Sequence, residues 1–189
     1  MFEQLVREDI AIDVLVNNAG YGKRGAFADV ALEESLGQIQ LNITALTHLT
    51  KLFVAPMVKR ESGKILNVAS TAGFQAGPLM SVYYATKAYV ILFSEGVASE
   101  LKGSGVTVTC LCPGATDTEF QKRAGMEKTL LFRRMHPASA ESVARSGYRG
   151  LMKGKPLVIS GLRNWMMMES LRISPRRVVT AVSRRLIEK

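Results

Sequence analysis

Asn17-Asn18-Ala19-Gly20 is the stretch that decides the fold of this chain, because it closes the short, mostly apolar run from Ile12 to Val16. An apolar run of this length, bounded by asparagine and glycine, is typical of a buried strand in a parallel sheet. The sequence therefore predicts a strand over 12–16 that ends where this stretch begins.

Downstream of this strand, the apolar pattern alternates between the periods of helices and strands. It predicts helices over about 32–60 and 81–102, and further strands over 64–69, 106–112 and 156–159. Strand–helix–strand order at this spacing implies parallel strands joined by right-handed crossovers. We therefore predict an α/β doubly wound parallel sheet, in one domain over 1–189 with a basic C-terminal segment from about 121.

Length and composition fit a globular domain with a sizeable core, since 47% of the 189 residues are hydrophobic. No apolar run approaches the roughly 18 residues of a membrane-spanning helix. The first ten residues carry acids and lack the apolar segment of a signal peptide. Cys110 and Cys112 alternate on a predicted strand, which favours two buried thiols over a disulfide. We therefore expect a reducing, cytoplasmic setting.

Charge is distributed unevenly along the chain. Residues 1–120 hold 9 Lys+Arg and 12 Asp+Glu, a net of −3, whereas residues 121–189 hold 16 and 4, a net of +12. Such asymmetry can mark a surface for nucleic acid or membranes, a solvated tail, or a face that meets an anionic cofactor or lipid. The sequence has no zinc-ligand pattern, RNA-binding aromatic motif or recognition helix, so we expect no nucleic-acid partner.

The end of the basic segment mixes cationic and apolar residues. The cationic ones are Arg172, Arg176, Arg177, Arg184, Arg185 and Lys189, and the apolar ones among them are Val178, Val179, Val182, Leu186 and Ile187. We predict an amphipathic helix that packs on the sheet and leaves a solvated cationic face. The alternatives are a weak contact with a membrane surface, or a pocket wall for a lipid-like substrate. The upstream stretch Trp165-Met166-Met167-Met168 suits a plastic apolar pocket.

Tyr83 and Lys87 lie four residues apart on a predicted helix, so their side chains project from one face. A nearby ammonium favours the phenolate and lowers the pKa of a tyrosine, which suits a proton donor and acceptor near neutral pH. The structural alternative is an exposed pair on an amphipathic helix. Tyr84 is three residues from Lys87, and we interpret it as packing or as pocket lining.

Ser70 follows the end of a predicted strand, where doubly wound sheets build their sites, although a turn or cap serine is the alternative. Asn42 lies in the middle of a predicted helix, where asparagine is a mediocre helix former. His48 and His136 have no cysteine or carboxylate cluster nearby in the sequence, so we expect no metal site.

Four residues and two segments occur together in the order and with the spacing of the short-chain dehydrogenase/reductase family, which this sequence resembles. They are Asn42, Ser70, Tyr83, Lys87, the stretch 17–20 and the stretch 113–118 (Pro-Gly-Ala-Thr-Asp-Thr). The resemblance covers essentially the entire chain. Within the family, the stretches 66–74, 84–90 and about 111–120 look like a bacterial DltE-like subgroup.

The resemblance implies a catalytic role for each of four residues. Tyr83 would be the acid/base that exchanges a proton with the substrate carbonyl or hydroxyl, and Lys87 would bind the nicotinamide ribose and lower the pKa of Tyr83. Ser70 would hydrogen-bond the reacting oxygen. Asn42 would hold a water that links Lys87 to solvent.

The resemblance also implies NAD(P) as cofactor, with NADP slightly favoured. Tyr83 and Lys87 would contact the cofactor. The other cofactor-binding residues would be Asn17, Ala19 and Gly20 on the adenosine side, and Pro113, Gly114 and Thr118 on the nicotinamide side. Lys23 and Arg24 lie on the wrong loop to choose between NAD and NADP.

The family's Thr-Gly-x-x-x-Gly-x-Gly loop, which cradles the pyrophosphate, has no counterpart in the sequence. The missing part corresponds to on the order of 60 residues, the size of two βαβ units that share a strand. We therefore expect a fold without its first strands, Met1 to be an internal methionine of a longer protein, and strand 12–16 to lie at the sheet edge. An exposed edge of this kind invites association. We also expect weak or no cofactor binding by the chain as given.

The activity implied is hydride transfer between NAD(P) and a carbonyl or secondary alcohol, on a small-molecule substrate that the sequence does not identify. The isolated chain would then be a fragment of reduced or no activity, and a non-catalytic remnant of the family is the alternative. In the family, the two long helices commonly make subunit contacts, so the resemblance implies a homo-oligomer.

Overall fold

The structure, a computed structural model, describes residues 2–127, 129–131 and 137–188. Within these residues, the main sheet has four parallel strands in the order β1-β2-β3-β6. These strands are β1 (Val14–Asn17), β2 (Gly63–Val68), β3 (Val106–Cys112) and β6 (Leu157–Ile159). Two short strands, β4 (Thr116–Asp117) and β5 (Ala138–Ser139), form a separate parallel pair. The predicted parallel α/β sheet is confirmed.

The helices lie close to their predicted positions. One long helix runs through α2 (Leu32–Ile39), a π-helical turn (Gln40–Ala45) and α3 (Leu46–Lys59), and α4 spans Ser81–Glu100. A 3-10 turn (Thr71–Phe74) follows β2. The remaining described helices are α1 (Phe2–Arg7), α5 (Phe120–Arg123), α6 (Ala140–Met152), α7 (Leu162–Ser170) and α8 (Arg176–Ile187).

Helices cover both faces of the sheet because side chains alternate along each strand. On one face, Ile65 and Val108 pack with Phe53 and Met57 of α3. On the other face, residues of β2 and β3 pack with α6 through the buried cluster Leu66, Leu111, Val143 and Leu151. The result is the three-layer arrangement of a doubly wound fold.

Strand β1 lies at the edge of the sheet, as predicted. Its residues Val14 and Val16 point to the face that α6 covers over the central strands, but α6 does not extend over β1. Val14 is therefore 41% exposed and Val16 51% exposed. This edge combines unpaired backbone groups with an uncovered apolar face.

By length and composition, the long helix from Leu32 to Lys59 could cross a membrane, although no apolar run in it approaches 18 residues. One side of it is buried against the sheet, through Leu46, Thr50, Phe53 and Met57. That contact is the one expected of a core helix in a doubly wound domain.

Cys110 and Cys112 are both buried, and their sulfur atoms lie 3.8 Å apart on the α4 side of β3. Both are free cysteines, and their side chains point the same way, as the sequence predicted.

The C-terminal helix α8 packs differently from the prediction. It does not lie on the sheet; Ile187 is buried in a cluster with Met80, Tyr83, Tyr84 and other residues at the carboxyl end of the strands. The Arg24 side chain donates a hydrogen bond from Nε to the Ile187 carbonyl oxygen at 2.8 Å, which fixes the end of α8. The cationic face is exposed, as predicted, at Arg176, Arg177, Arg184 and Arg185.

Candidate active site

Ser70 lies two residues beyond the end of β2, at the start of the 3-10 turn. Its Oγ accepts a hydrogen bond from the Ala72 backbone N–H at 3.1 Å and donates to the Pro113 carbonyl oxygen at 3.4 Å. The cap alternative is therefore present in the structure, but Ser70 also lines the cavity described below. A capping serine can still present its hydroxyl to a ligand.

Tyr83 and Lys87 lie on the first two turns of α4 and are both buried, at 8% and 5% exposure. Their burial rules out the exposed-pair alternative. Lys87 Nζ donates a hydrogen bond to the Val68 carbonyl oxygen, the last of β2, at 2.8 Å. The same ammonium lies 5.8 Å from the centroid of the Tyr83 ring. Both side chains therefore converge at the carboxyl end of β2, next to Ser70.

Asn42 lies in the π-helical turn and holds the loop after β1 against α4. Its Nδ2 donates hydrogen bonds to the Tyr21 carbonyl oxygen at 2.9 Å and to Thr86 Oγ1 at 3.0 Å, and its Oδ1 accepts from the Tyr21 N–H at 3.1 Å. A Cβ placed on Gly20 would come within 3.1 Å of Asn42 Oδ1 and 3.3 Å of Lys87 Nζ. Because glycine has no side chain, both polar groups can approach the backbone at position 20.

A cavity of about 850 Å³ opens beside these residues, a volume within the range of ligand pockets. It runs from β1 to the segment after β3 and to helices α7 and α8. Of the sequence-predicted site residues, the cavity is lined by Gly20, Ser70, Tyr83, Lys87, Pro113, Gly114 and Thr118.

Three predicted site residues do not line this cavity. Asn42 is buried behind it, and Ala19 is exposed outside it. Asn17 is also turned away from it, because its Nδ2 donates to Thr50 Oγ1 at 3.0 Å and to Asn67 Oδ1 at 2.8 Å. These two hydrogen bonds tie β1 to α3 and β2, and turn the side chain away from the cavity.

The electrostatics of the pair differ from the prediction. Burial raises the pKa of the Tyr83 phenol well above its usual range, and the neighbouring Ser70 hydroxyl offsets only part of that rise. Burial also lowers the pKa of Lys87 to about 8. The net shift of the Tyr83 pKa is therefore upward, opposite to the lowering expected from Lys87, because desolvation is its largest cause.

In the described part of the chain, no three histidine, cysteine or carboxylate side chains cluster in a way that could hold a metal ion. His48 is exposed on α3. His136 lies outside the described residues.

Comparison with known proteins gives a family for this arrangement. The family model described as short chain dehydrogenase matches residues 1–129. This chain is a member of the short-chain dehydrogenase/reductase family. Its sequence is 33% identical over 171 residues to a 3-oxoacyl-(acyl-carrier-protein) reductase of Haemophilus influenzae, covering 85% of this chain and 71% of the relative.

A second relative, the 3-oxoacyl-(acyl-carrier-protein) reductase of Synechocystis sp., is 40% identical over 121 residues. The match covers 64% of this chain and 49% of that relative. The solved structure of a short-chain dehydrogenase from Sphingobium yanoikuyae in complex with NADPH superposes with a TM-score of 0.76 at 31% identity. This superposition covers 91% of this chain and 67% of that one. Against several relatives, the chain spans less than half of their length.

The cavity fits one part of the dinucleotide cofactor that short-chain dehydrogenases bind. Pro113, Gly114 and Thr118 offer backbone and hydroxyl groups beside Lys87, which fits the nicotinamide end of a dinucleotide. Among the described lining residues, Lys87 is the only lysine or arginine, and it is already bonded to Val68. The described residues therefore fit the nicotinamide end and show no partner set for the pyrophosphate.

Several residues of this short-chain dehydrogenase cavity were not singled out from the sequence. They are Asn18, Met80, Met126, Leu131, Asn164 and Ser183. Asn18 follows the last residue of β1, so its position at a strand end was a usable signal. Asn164 and Ser183 come from α7 and α8, whose packing no local pattern reveals. Tyr84, Met167, Met168 and Leu186 also line the cavity, in agreement with the predicted pocket lining.

Proposed function

We propose that this chain carries the catalytic part of an NAD(P)-dependent oxidoreductase, which transfers a hydride between the cofactor and a carbonyl or secondary alcohol. The observation that carries the proposal is the convergence of the Ser70, Tyr83 and Lys87 side chains on one wall of a largely apolar cavity. Membership in the short-chain dehydrogenase/reductase family supports it. The bound nicotinamide supplies the hydride, and the protein supplies alignment and proton transfer.

Tyr83 is the proton donor in the reduction direction. Its pKa is raised by burial, so the phenol is protonated at neutral pH and ready to give its proton to a developing alkoxide. Ser70, whose hydroxyl neighbours this phenol, hydrogen-bonds the same oxygen and stabilises its charge. Lys87, charged at neutral pH with a pKa of about 8, favours the phenolate that remains.

Asn42 is a positioning residue in this scheme. Its hydrogen bonds to Tyr21 and Thr86 hold the loop after β1 against the helix turn that carries Tyr83 and Lys87. The residues that hold the nicotinamide end are Gly20, Lys87, Pro113, Gly114 and Thr118. NADP is favoured over NAD because two structural relatives, at 31% and 28% sequence identity, are complexes with NADPH and NADP+.

The rival reading is a protein that keeps the family's sequence without catalysis. Its support is the lack of pyrophosphate partners among the described lining residues. Titration of the purified chain with NADPH and with NADH in a calorimeter separates the two readings. Saturable binding supports the oxidoreductase, whereas no binding of either nucleotide supports the rival for this chain.

The test of catalysis is Tyr83→Phe, with NADPH oxidation followed on a neutral ketone such as nonan-2-one. Loss of the general acid is expected to lower the rate about 10²- to 10⁴-fold, with NADPH binding retained. Tyr89→Phe is the matched control, because it removes a tyrosine hydroxyl from the same helix, where Tyr89 pairs with Thr47. A Tyr83→Phe enzyme as fast as the wild type would refute the assignment.

We further propose that the protein forms a homo-oligomer in the cytoplasm. Large apolar side chains are exposed on α2 and α4, namely Leu32, Leu36, Ile39 and Leu92. An uncovered apolar surface of this kind favours association. The two free, buried cysteines suit a reducing compartment. Sedimentation velocity of the wild type and of Leu92→Glu tests this surface. Equal masses of the two proteins in solution would exclude it as the oligomer interface.

A second candidate function is a weak contact with an anionic membrane. Ile173 is 89% exposed, and Val178 and Val182 are exposed among the arginines of α8. Cationic and apolar groups on one helix suit an interfacial position. Co-sedimentation with phosphatidylserine vesicles at low salt tests it, with Val178→Glu as the variant that should release the protein.

The likeness to a DltE-like subgroup stays a prediction.

A further inference from the structure

We propose that Tyr84 and Ser183 form a second polar subsite in the cavity, which binds a neutral oxygen of the substrate distinct from the one that reacts. The inference rests on the proposed function, since it concerns the substrate of that same reaction. It concerns α8, which lies outside the residues that the family model matches.

Ser183 supplies the first observation. It is 2% exposed on α8, yet it lines the cavity, and its Oγ has no hydrogen-bond partner among the residues that the structure describes. A buried hydroxyl without a partner is costly, and such groups in native proteins usually have a role. Rotation of the side chain about its Cα–Cβ bond would bring this hydroxyl to an oxygen of a ligand in the cavity.

Tyr84 supplies the second observation. Tyr84 also lines the cavity, and its phenol lies near Ser183, although no hydrogen bond joins the two side chains in the structure. That hydroxyl offsets part of the rise in the Tyr84 pKa that burial causes. The phenol therefore stays protonated and able to donate a hydrogen bond. The Tyr84 ring centroid lies 6.1 Å from that of Tyr83. The cavity thus holds two tyrosine–serine pairs side by side, Tyr83 with Ser70 and Tyr84 with Ser183.

The rest of the cavity restricts the chemistry of the substrate. The described lining contains no aspartate or glutamate, and its only lysine or arginine is Lys87. The walls beyond the two tyrosine–serine pairs are largely apolar, with Met80, Met126, Met167, Met168 and Leu186 among them. Such a cavity suits an uncharged, mostly apolar ketone that carries a second neutral oxygen, such as a carbonyl or hydroxyl group.

The experiment measures binding of three ketones of equal chain length by isothermal titration. The probes are nonan-2-one, nonane-2,5-dione and nonane-2,8-dione, each titrated into wild type, Ser183→Ala and Tyr84→Phe. We compare the ratio of dione to mono-ketone affinity between proteins, because this ratio cancels changes in the apolar walls. For at least one dione, loss of one neutral hydrogen bond should lower the ratio about 2- to 10-fold in both variants.

Ser99→Ala is the matched control, because it removes a serine hydroxyl from an exposed helix position on α4. Its ratio should equal that of the wild type. An unchanged ratio in both Ser183→Ala and Tyr84→Phe overturns the subsite, as does a lack of measurable ketone binding by the wild type. Because Tyr84→Phe keeps the ring, circular dichroism is expected to show an intact fold.

The same titrations separate this inference from the proposed function. Binding of a dione needs no hydride transfer, so the affinity ratio can be measured whether or not the wild type reduces ketones. A normal ratio effect in a protein without reductase activity would refute the proposed reaction and leave the subsite standing. Reductase activity with no ratio effect would refute the subsite alone.

Discussion

Lys87 donates a hydrogen bond to the carbonyl oxygen of Val68 at 2.8 Å, which joins the second turn of α4 to the last residue of β2. The bond fixes the ammonium at the strand end and helps to keep it charged, although burial lowers its pKa to about 8. A single contact therefore orients the helix that carries Tyr83 and places a cation beside the phenol.

The pKa of Lys87 predicts how stability changes with pH. The lysine binds its proton less tightly when folded than when unfolded, where the value is 10.5, so the cost of burying the charge is present below pH 8. Stability should therefore rise between about pH 8 and 10, by on the order of 3 kcal/mol at most. Above pH 10 the raised pKa values of Tyr83 and Tyr84 act in the opposite direction.

Urea unfolding of wild type and Lys87→Met across this pH range measures the effect. The free energy of unfolding of the wild type should rise relative to that of the variant as pH rises from 7 to 10, because the variant has no charge to bury. Lys59→Met, at an exposed position of α3, is the control and should follow the wild type. A constant difference between wild type and Lys87→Met would show that Lys87 does not titrate in this range.

Asn67 is expected to be among the most sensitive positions of the sheet. It is fully buried, accepts from Asn17 at 2.8 Å and donates to Ser94 Oγ at 3.0 Å. Asn67→Ala removes one hydrogen bond from each of two buried partners and should lower the free energy of unfolding by roughly 2 to 4 kcal/mol. Denaturant unfolding measures it. Asn18→Ala, at an exposed side chain, should cost far less, and equal losses would contradict the argument.

Two helical glycines should respond to alanine in opposite ways. Nothing lies within 4 Å of a Cβ built on Gly96 in α4, whereas a Cβ on Gly150 in α6 would clash with Val158 of β6. Gly96→Ala should stabilise the protein by about 0.5 to 1 kcal/mol through helix propensity. Gly150→Ala should destabilise it by about 1 to 2 kcal/mol because the helix must move off the sheet. Thermal melting of both variants checks the signs; the same sign for both would contradict the packing.

The edge strand β1 should promote self-association of the chain. Val14→Lys places a charge on its uncovered face, and charges on edge strands oppose strand pairing. Light scattering over a concentration series should show less association for Val14→Lys than for wild type. Val58→Lys is the comparison, since Val58 is 37% exposed on α3. If Val58→Lys lowered association as much, the edge would not be its cause.

Much of the fold could be predicted because periodicity reports burial. Strand β3 was predicted without error, and the two long helices end within two residues of their predicted limits. The edge position of β1 also followed from the order of motifs. The apolar composition of the helix over 32–59 was not evident as a run, because polar residues such as Asn42 and Thr50 interrupt it.

The site could be predicted in part, where local order is enough. The positions of Ser70, Tyr83 and Lys87 follow from a strand end and a helix turn. The hydrogen bonds of Asn17 could not be predicted, because its partner Asn67 is fifty residues away and pairs with it only through the sheet register. The sign of the Tyr83 pKa shift was missed because burial of the phenol depends on α8 and its neighbours, which the local sequence does not show.

Helix α8, whose end is held by the hydrogen bond from Arg24 to Ile187, is the last described helix to be synthesised, and this has a consequence for the nascent chain. A ribosome releases Ser70, Tyr83 and Lys87 long before it releases α8, the helix that supplies Ser183 and Leu186 to the cavity. During that interval the nascent chain presents Met80, Tyr83 and Tyr84 to water without their final cover. The pocket is therefore completed only after the last helix of the described chain has been synthesised, and interruption of translation before residue 176 would leave an open apolar surface for chaperones to bind.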